Sequence, residues 1–140
     1  MRASIVLFAS LVLISIVALR SAEACSCSTY SLEKSIANAD LVFWGEITAS
    51  KTIQRPVTGW RYTVTVKGVW KGDVKVKTFV VTDNSSCGLK NVGARVGAQL
   101  LFAVRQGDTL FARQCSGSRK STPEVREEAT KIAGAERAPS

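Results

Sequence analysis

The stretch Trp60-Arg61-Tyr62-Thr63-Val64-Thr65-Val66-Lys67-Gly68-Val69 decides the fold class. Trp60, Tyr62, Val64 and Val66 fall on one face of an extended chain, and Thr63, Thr65 and Lys67 on the other. That is the period-two alternation of a half-buried strand. Lys71-Gly72-Asp73 is a turn, after which Val74, Val76 and Phe79 to Val81 predict a third strand over residues 74–82, joined to the second as a hairpin. Upstream, Leu41 to Ile47 is a near-continuous apolar and aromatic run that reads as the first strand. Gly45 within it predicts a bulge or tight bend. A polar segment holding Pro56 and Gly59 separates these first two strands.

Downstream, Gln99 to Arg105 and Thr109 to Arg113 flank Gln106-Gly107-Asp108. They predict a second hairpin with a three-residue, glycine-containing loop. Helices flank the strands. Ser31 caps a short one whose Leu32 and Ile36 share a face, ended by Asn38-Ala39-Asp40. Thr122-Pro123-Glu124 opens another with a cap, a proline at the first helical position and an acid near the positive end. It should run to about Ala133 and stop at Gly134. The chain is therefore expected to be mainly β, a five-stranded antiparallel barrel with flanking short helices. There is no internal repeat, and the last few residues are expected to be disordered.

Residues 1–24 read as a signal peptide: Arg2, an apolar stretch from Ala3 to Leu19, and the small-residue step Ala22-Glu23-Ala24. A membrane anchor would need about 20 apolar residues, and a lipid signal would place a cysteine after a small residue as here, but the alanine step favours cleavage before Cys25. Residues 25–140 would then form a single domain with no membrane span once mature. Its size supports only a marginal core, to which covalent staples add.

All four cysteines, Cys25, Cys27, Cys87 and Cys115, fall in that domain. An even count in an exported chain reads as a disulfide framework, with three pairings open. Cys25 and Cys27 are too close to pair comfortably, which leaves the two crossed arrangements. The formal charge of +8 includes Arg2, Arg20 and Glu23, so the mature chain carries +7. The plainer reading of this charge is solubility, and such a surface also draws polyanions. Outside the cell these are sulfated glycans or anionic surfaces, and export disfavours a nucleic-acid-binding role.

The chain has no histidine, which removes histidine-dependent catalysis and imidazole metal sites. A cysteine-only zinc site would need four thiolates in close pairs. Glu124, Glu127 and Glu128 read as a solvated helix face, and Ser85 and Ser86 have no base beside them. No enzymatic activity and no cofactor of its own are therefore expected. Cleavage would, however, leave Cys25 with a free α-amine next to its own carbonyl oxygen, a pair that closes a five-membered chelate ring on a metal ion supplied by a partner. The plainer reading of Cys25 is a disulfide near a frayed end.

Cys25-Ser26-Cys27-Ser28 resembles the Cys-x-Cys start of the mature tissue inhibitors of metalloproteinases. Ala37-Asn38-Ala39-Asp40-Leu41-Val42 is similar to that family's Cys-Asn-x-Asp-Leu/Val-Val segment, and Ser85-Ser86-Cys87-Gly88-Leu89 to its Ser-x-Cys-Gly-aromatic segment. The likeness runs in order from Cys25 to Cys115. It implies a netrin-like, OB-type barrel and the pairings Cys25 to Cys87 and Cys27 to Cys115. It further implies that Cys25 chelates the zinc of the partner protease, with Ser26 entering the specificity pocket. Cys27, Ser28, Thr29 and the ridge Ser85, Ser86, Cys87, Gly88 and Leu89 would touch the protease, with Tyr30 as an outer contact. Departures accompany the likeness: Ala37 replaces a half-cystine, the proline soon after Cys27 is absent, residues 51–59 form a short loop, and the second cysteine-rich domain is missing.

The function so implied is a secreted, monomeric inhibitor of secreted zinc metalloproteases, the zinc belonging to the target. The rival is a non-inhibitory extracellular module for glycans or matrix protein. The location is extracellular, or periplasmic or cell-surface in a bacterium. Asn84-Ser85-Ser86 is an N-glycosylation sequon, and a sugar there would sit on the ridge itself.

Overall fold

Ser31 caps the first helix as its sequence requires. Its Oγ accepts a hydrogen bond from the Lys34 N–H at 3.2 Å, opening α1 (Leu32–Asn38), which buries Leu32, Ser35 and Ile36. The computed structural model describes residues 31–85, 87–89 and 97–140. Six strands follow in chain order: β1 (Leu41–Ile53), β2 (Gly59–Lys71), β3 (Lys77–Asp83), β4 (Ala98–Gln106), β5 (Thr109–Ala112) and the two-residue β6 (Arg119–Lys120). A 3₁₀ turn, Gln114–Ser116, precedes β6. The second helix, α2 (Pro123–Ala133), starts and stops where its cap, proline and glycine predict. Thr122 Oγ1 accepts from the Val125 N–H at 3.3 Å, and Gly134 ends the helix.

The first five strands close into a ring in the order β1, β2, β3, β5, β4, with β4 returning to β1 from Leu41↔Ala103 to Glu46↔Ala98. The expected five-stranded barrel is present, and one of its pairs is not antiparallel. Directions cannot alternate all the way round a ring of five, so one neighbouring pair must run parallel. That pair is β3 and β5, matched at Val81↔Phe111. The barrel is therefore mixed.

Two apolar clusters explain the run at the start of β1. Leu41, Phe43 and Ile47 point into the barrel with Tyr62, Val64, Val66, Val80, Leu101 and Ala103. Val42 and Trp44 point outward, beneath the helices, with Leu32, Ile36, Trp70, Leu100, Phe102 and Ala129. A strand buried on both faces has no reason to alternate. Its pairing continues to Ile53↔Gly59, six residues beyond the expected end, through a polar, exposed segment that hydropathy does not mark as strand.

Gly45 lies beside a register shift, as expected of a bulge, and a Cβ there would fall 2.3 Å from the Thr65 carbonyl oxygen. On β2 the same shift passes over Lys67, so the inward set changes phase from Tyr62, Val64 and Val66 to Val69, while Trp70 joins the outer cluster. β3 begins later than expected. Val74 is buried, but the ladder with β2 starts only at Thr65↔Lys77, and Val76 is 51% exposed. The β4–β5 loop is two residues, not three, because Gln106 pairs with Thr109 and leaves Gly107, at φ +58°, and Asp108 to turn the chain.

The C-terminus is not the loose end that its composition suggests. Arg137 and Val69 exchange backbone hydrogen bonds of 2.8 and 2.9 Å, Ser140 N–H donates to Val74 O at 2.9 Å, and Val76 N–H donates to Ser140 O at 3.0 Å. Just before it, Glu136 Oε1 accepts from Trp44 Nε1 at 2.9 Å. Val69 near the end of β2 and Val74 and Val76 in the β2–β3 connection supply backbone partners that sequence pattern does not reveal. Deleting residues 137–140 should therefore lower unfolding stability by about 1–3 kcal/mol, the net worth of several such bonds. Urea titration of the truncated chain measures this, and an unchanged midpoint would mean that the tail contributes nothing.

Candidate functional site

At the end of β3 the chain makes a tight, self-bonded ridge. Asp83 is its organiser: Oδ1 accepts from the Ser85 N–H at 3.1 Å and also from Ser85 Oγ, while Oδ2 pairs with Arg113 Nη2 at 2.9 Å. This is the local turn chemistry of an aspartate two residues before the donor. Ser85 Oγ accepts in turn from the Cys87 N–H at 3.3 Å, and Ser85 O from the Gly88 N–H at 3.1 Å. Asn84 N–H is tied to Thr58 O at 3.1 Å, which docks the ridge on the β1–β2 connection.

The far side of the ridge is rooted in the barrel. Leu89 N–H donates to Thr82 Oγ1 at 2.8 Å, and Leu89 O accepts from the Tyr62 hydroxyl at 3.1 Å, both bonds being buried. Burial pushes the Tyr62 phenol above its usual range. Gly88 admits no side chain, because a Cβ would lie 2.0 Å from the Asp83 carbonyl oxygen. It pairs as an isolated bridge with Arg113, and Gln114 N–H donates to Cys87 O at 3.1 Å. Cys87 and Cys115 thus come from neighbouring backbone segments. Neither is a free thiol and both sulfurs are in disulfides. The expected partners, Cys25 and Cys27, lie outside the described residues.

The structure brings Asn84, Ser85, Cys87, Gly88, Leu89 and Cys115 to one end of the barrel. It narrows the expected contact ridge. Leu89 is 5% exposed and belongs to the barrel core, and Gly88 is buried, so the described surface of the ridge is Asn84, Ser85 and half-buried Cys87. Asn84 of the sequon is exposed. Ser26, Ser28, Thr29, Tyr30 and Ser86 fall outside the described residues together with Cys25 and Cys27. A groove of about 350 Å³ opens beside Cys115, lined by Asn38, Ala39, Phe111, Arg113 and Ser116 among others, and among the described residues Arg113 is its one charged lining residue. Among the described residues no group of three or more histidine, cysteine or acidic side chains could hold a metal ion.

Sequence reading missed Asp83 and Arg113. Asp83-Asn84-Ser85 carries the turn signal, but the guanidinium comes from 30 positions further along, and no local pattern links the two.

Burial pushes the Asp83 carboxyl upward, but the hydrogen bonds from Ser85 and the charge and hydrogen bond of Arg113 outweigh it and hold the group below its ordinary value of 3.8. A depressed carboxylate stabilises the fold fully above its unfolded value and loses that contribution as pH falls through the folded one. Asp83→Asn should therefore cost about 1–2 kcal/mol near neutral pH, chiefly from weakened bonds to a charged acceptor. The gap between wild type and variant should close progressively below about pH 4. Denaturant titrations at several pH values measure it; a gap independent of pH would assign the cost to shape and not to charge.

Compared with known proteins, the chain matches no family model and no curated protein.

Proposed function

We propose that the mature chain is a secreted, non-catalytic inhibitor of zinc metalloproteases. The α-amine and carbonyl oxygen of Cys25 chelate the protease's zinc, and Ser26 enters the pocket beside it. Ser28, Thr29 and the exposed ridge at Asn84, Ser85 and Cys87 pack against the cleft on either side. The observation that carries this reading is the juxtaposition of two disulfide-bonded cysteines, Cys87 and Cys115, on adjacent backbone segments at the foot of that ridge.

Residues i and i+2 of an extended chain lie about 6–7 Å apart, so a Cys-x-Cys segment in that conformation would reach two neighbouring anchors. Fastened at both cysteines, the first residue's amine and carbonyl are held next to the ridge at little further entropic cost on binding. The amine must be unprotonated to donate its lone pair, so inhibition weakens as pH falls and the amine takes up a proton. The basic surface described below favours a second role, polyanion binding, which needs no free N-terminus.

Two measurements test the reading. Non-reducing peptide mapping should recover Cys25 joined to Cys87 and Cys27 joined to Cys115; the swapped pairing would place Cys25 on the wrong anchor. The refolded chain beginning at Cys25 should inhibit at least one member of a panel of matrix-type zinc proteases. One added N-terminal alanine, or acetylation of the amine, should weaken inhibition by about 100-fold or more, with the circular dichroism spectrum and melting temperature unchanged. Equal inhibition by the extended and native chains would rule out chelation by Cys25, and no inhibition by a verified native N-terminus would remove the inhibitor reading.

A further inference from the structure

The helices pack over the outer faces of β1 and β4 and over Trp70 near the end of β2, and this outer cluster takes in no residue of β2 before Trp70 and none of β3. The register sets out what that face carries. Lys51 of β1 stands opposite Arg61 of β2, Thr63 opposite Phe79 of β3, and Thr65 opposite Lys77. Cross-strand partners and residues two apart share a face, so these six side chains form one surface. Their in-between neighbours Tyr62, Val64 and Val80 fill the barrel. Lys51, Arg61 and Lys77 are exposed and have no carboxylate partner among the described residues. Glu46 of β1, opposite Thr65 and so on the same face, is matched by Lys67 at 4.0 Å.

The centre of the face is apolar. Phe79 is 50% exposed, and the Arg61 guanidinium lies over its ring at 5.0 Å. The surface thus has two cations at one end and one at the other. They lie about 13 Å apart, four residues along the strand, with one aromatic ring and two threonine hydroxyls between them.

We propose that this face of β2 and β3, with Lys51 at its margin, binds a linear sulfated glycan. Sulfate groups meet the ammonium and guanidinium ends, a sugar ring lies on Phe79, and Thr63 and Thr65 bond to its hydroxyl groups. A single-stranded nucleic acid is a poorer fit, because it needs an aromatic platform for successive bases and the face has one ring. A bilayer is also a poorer fit, because only Phe79 could enter it. The proposal shares with the inhibitor reading only the export of the chain. It uses residues on a strand face and not on the ridge, so either can fail alone.

The test is binding of the mature chain to immobilised heparin. Combined Lys51→Gln, Arg61→Gln and Lys77→Gln should weaken binding by about 10-fold or more at 0.15 M salt and reduce the slope of log affinity against log salt by about two. Combined Arg105→Gln, Lys120→Gln and Lys131→Gln removes the same charge elsewhere and should cost less than about 3-fold. Phe79→Ser should weaken binding while leaving the salt slope unchanged. In the unaltered protein, heparin should shield Lys51 and Lys77 from acetylation and leave Lys120 reactive, a readout that needs no variant to fold. Equal losses in the two triple variants, or no shielding of Lys51 and Lys77, would overturn the site in favour of diffuse charge. Displacement of heparin by an equal mass of single-stranded oligonucleotide, but not by desulfated heparin, would overturn it in favour of a nucleic-acid surface.

Discussion

A closed ring of five strands must contain at least one parallel junction, and in this chain the Asp83 ridge and Cys115 gather there. The junction between β3 and β5 is thin, with a single matched pair at Val81 and Phe111, whereas β1 and β2 are paired along their whole length. Beyond Val81 and Ala112 the two strands are held by other means. The Asp83 carboxylate reaches Arg113, Gly88 bridges to Arg113, and Cys87 O accepts from Gln114 N–H. Exposed ion pairs contribute little by themselves. This one has a carboxylate whose side chain is only 17% exposed and which also organises the turn. Cys87 and Cys115, both disulfide-bonded, fall at the same place.

Much of this architecture is legible from residue patterns, for physical reasons that also mark where legibility ends. The alternation at Trp60 to Val66 records a strand with one face in the barrel, and the caps at Ser31 and Thr122 record helix starts, because each depends on near neighbours in sequence. The unbroken run at Leu41 to Trp44 records burial on both faces without saying what covers them. The polar continuation of β1 to Ile53 leaves no hydrophobic trace, since its strand character comes from the partner β2. The docking of Arg137 on β2 and of Ser140 on the β2–β3 connection is likewise backbone to backbone and independent of side-chain type. At the site, Cys87 and Gly88 stand out in the sequence, whereas Leu89 looks like part of an exposed motif and turns out to be core. Asp83 and Arg113 become a pair only when the ring closes.

The two faces of the barrel wall divide the work. Where β1 and β4 are sealed beneath α1 and α2, Val42, Leu100 and Phe102 are inaccessible and serve stability alone. Where β3 and the part of β2 before Trp70 stand outside that cluster, the side chains that replace a helix layer are threonines, lysines, an arginine and one phenylalanine. Such a face is stable in water without a cover.

The tryptophans have a practical consequence of this division. Trp44 and Trp70 both belong to the helix-covered cluster; the first donates to Glu136 beneath the Arg126 guanidinium at 4.2 Å, and the second donates to Thr130 of α2 at 3.0 Å. Trp60 alone packs against the barrel interior. Intrinsic fluorescence of this protein is therefore weighted toward the attachment of α2, with two of three emitters reporting whether that helix is seated. A lifetime resolved for each indole would separate peeling of the helical layer from opening of the ring.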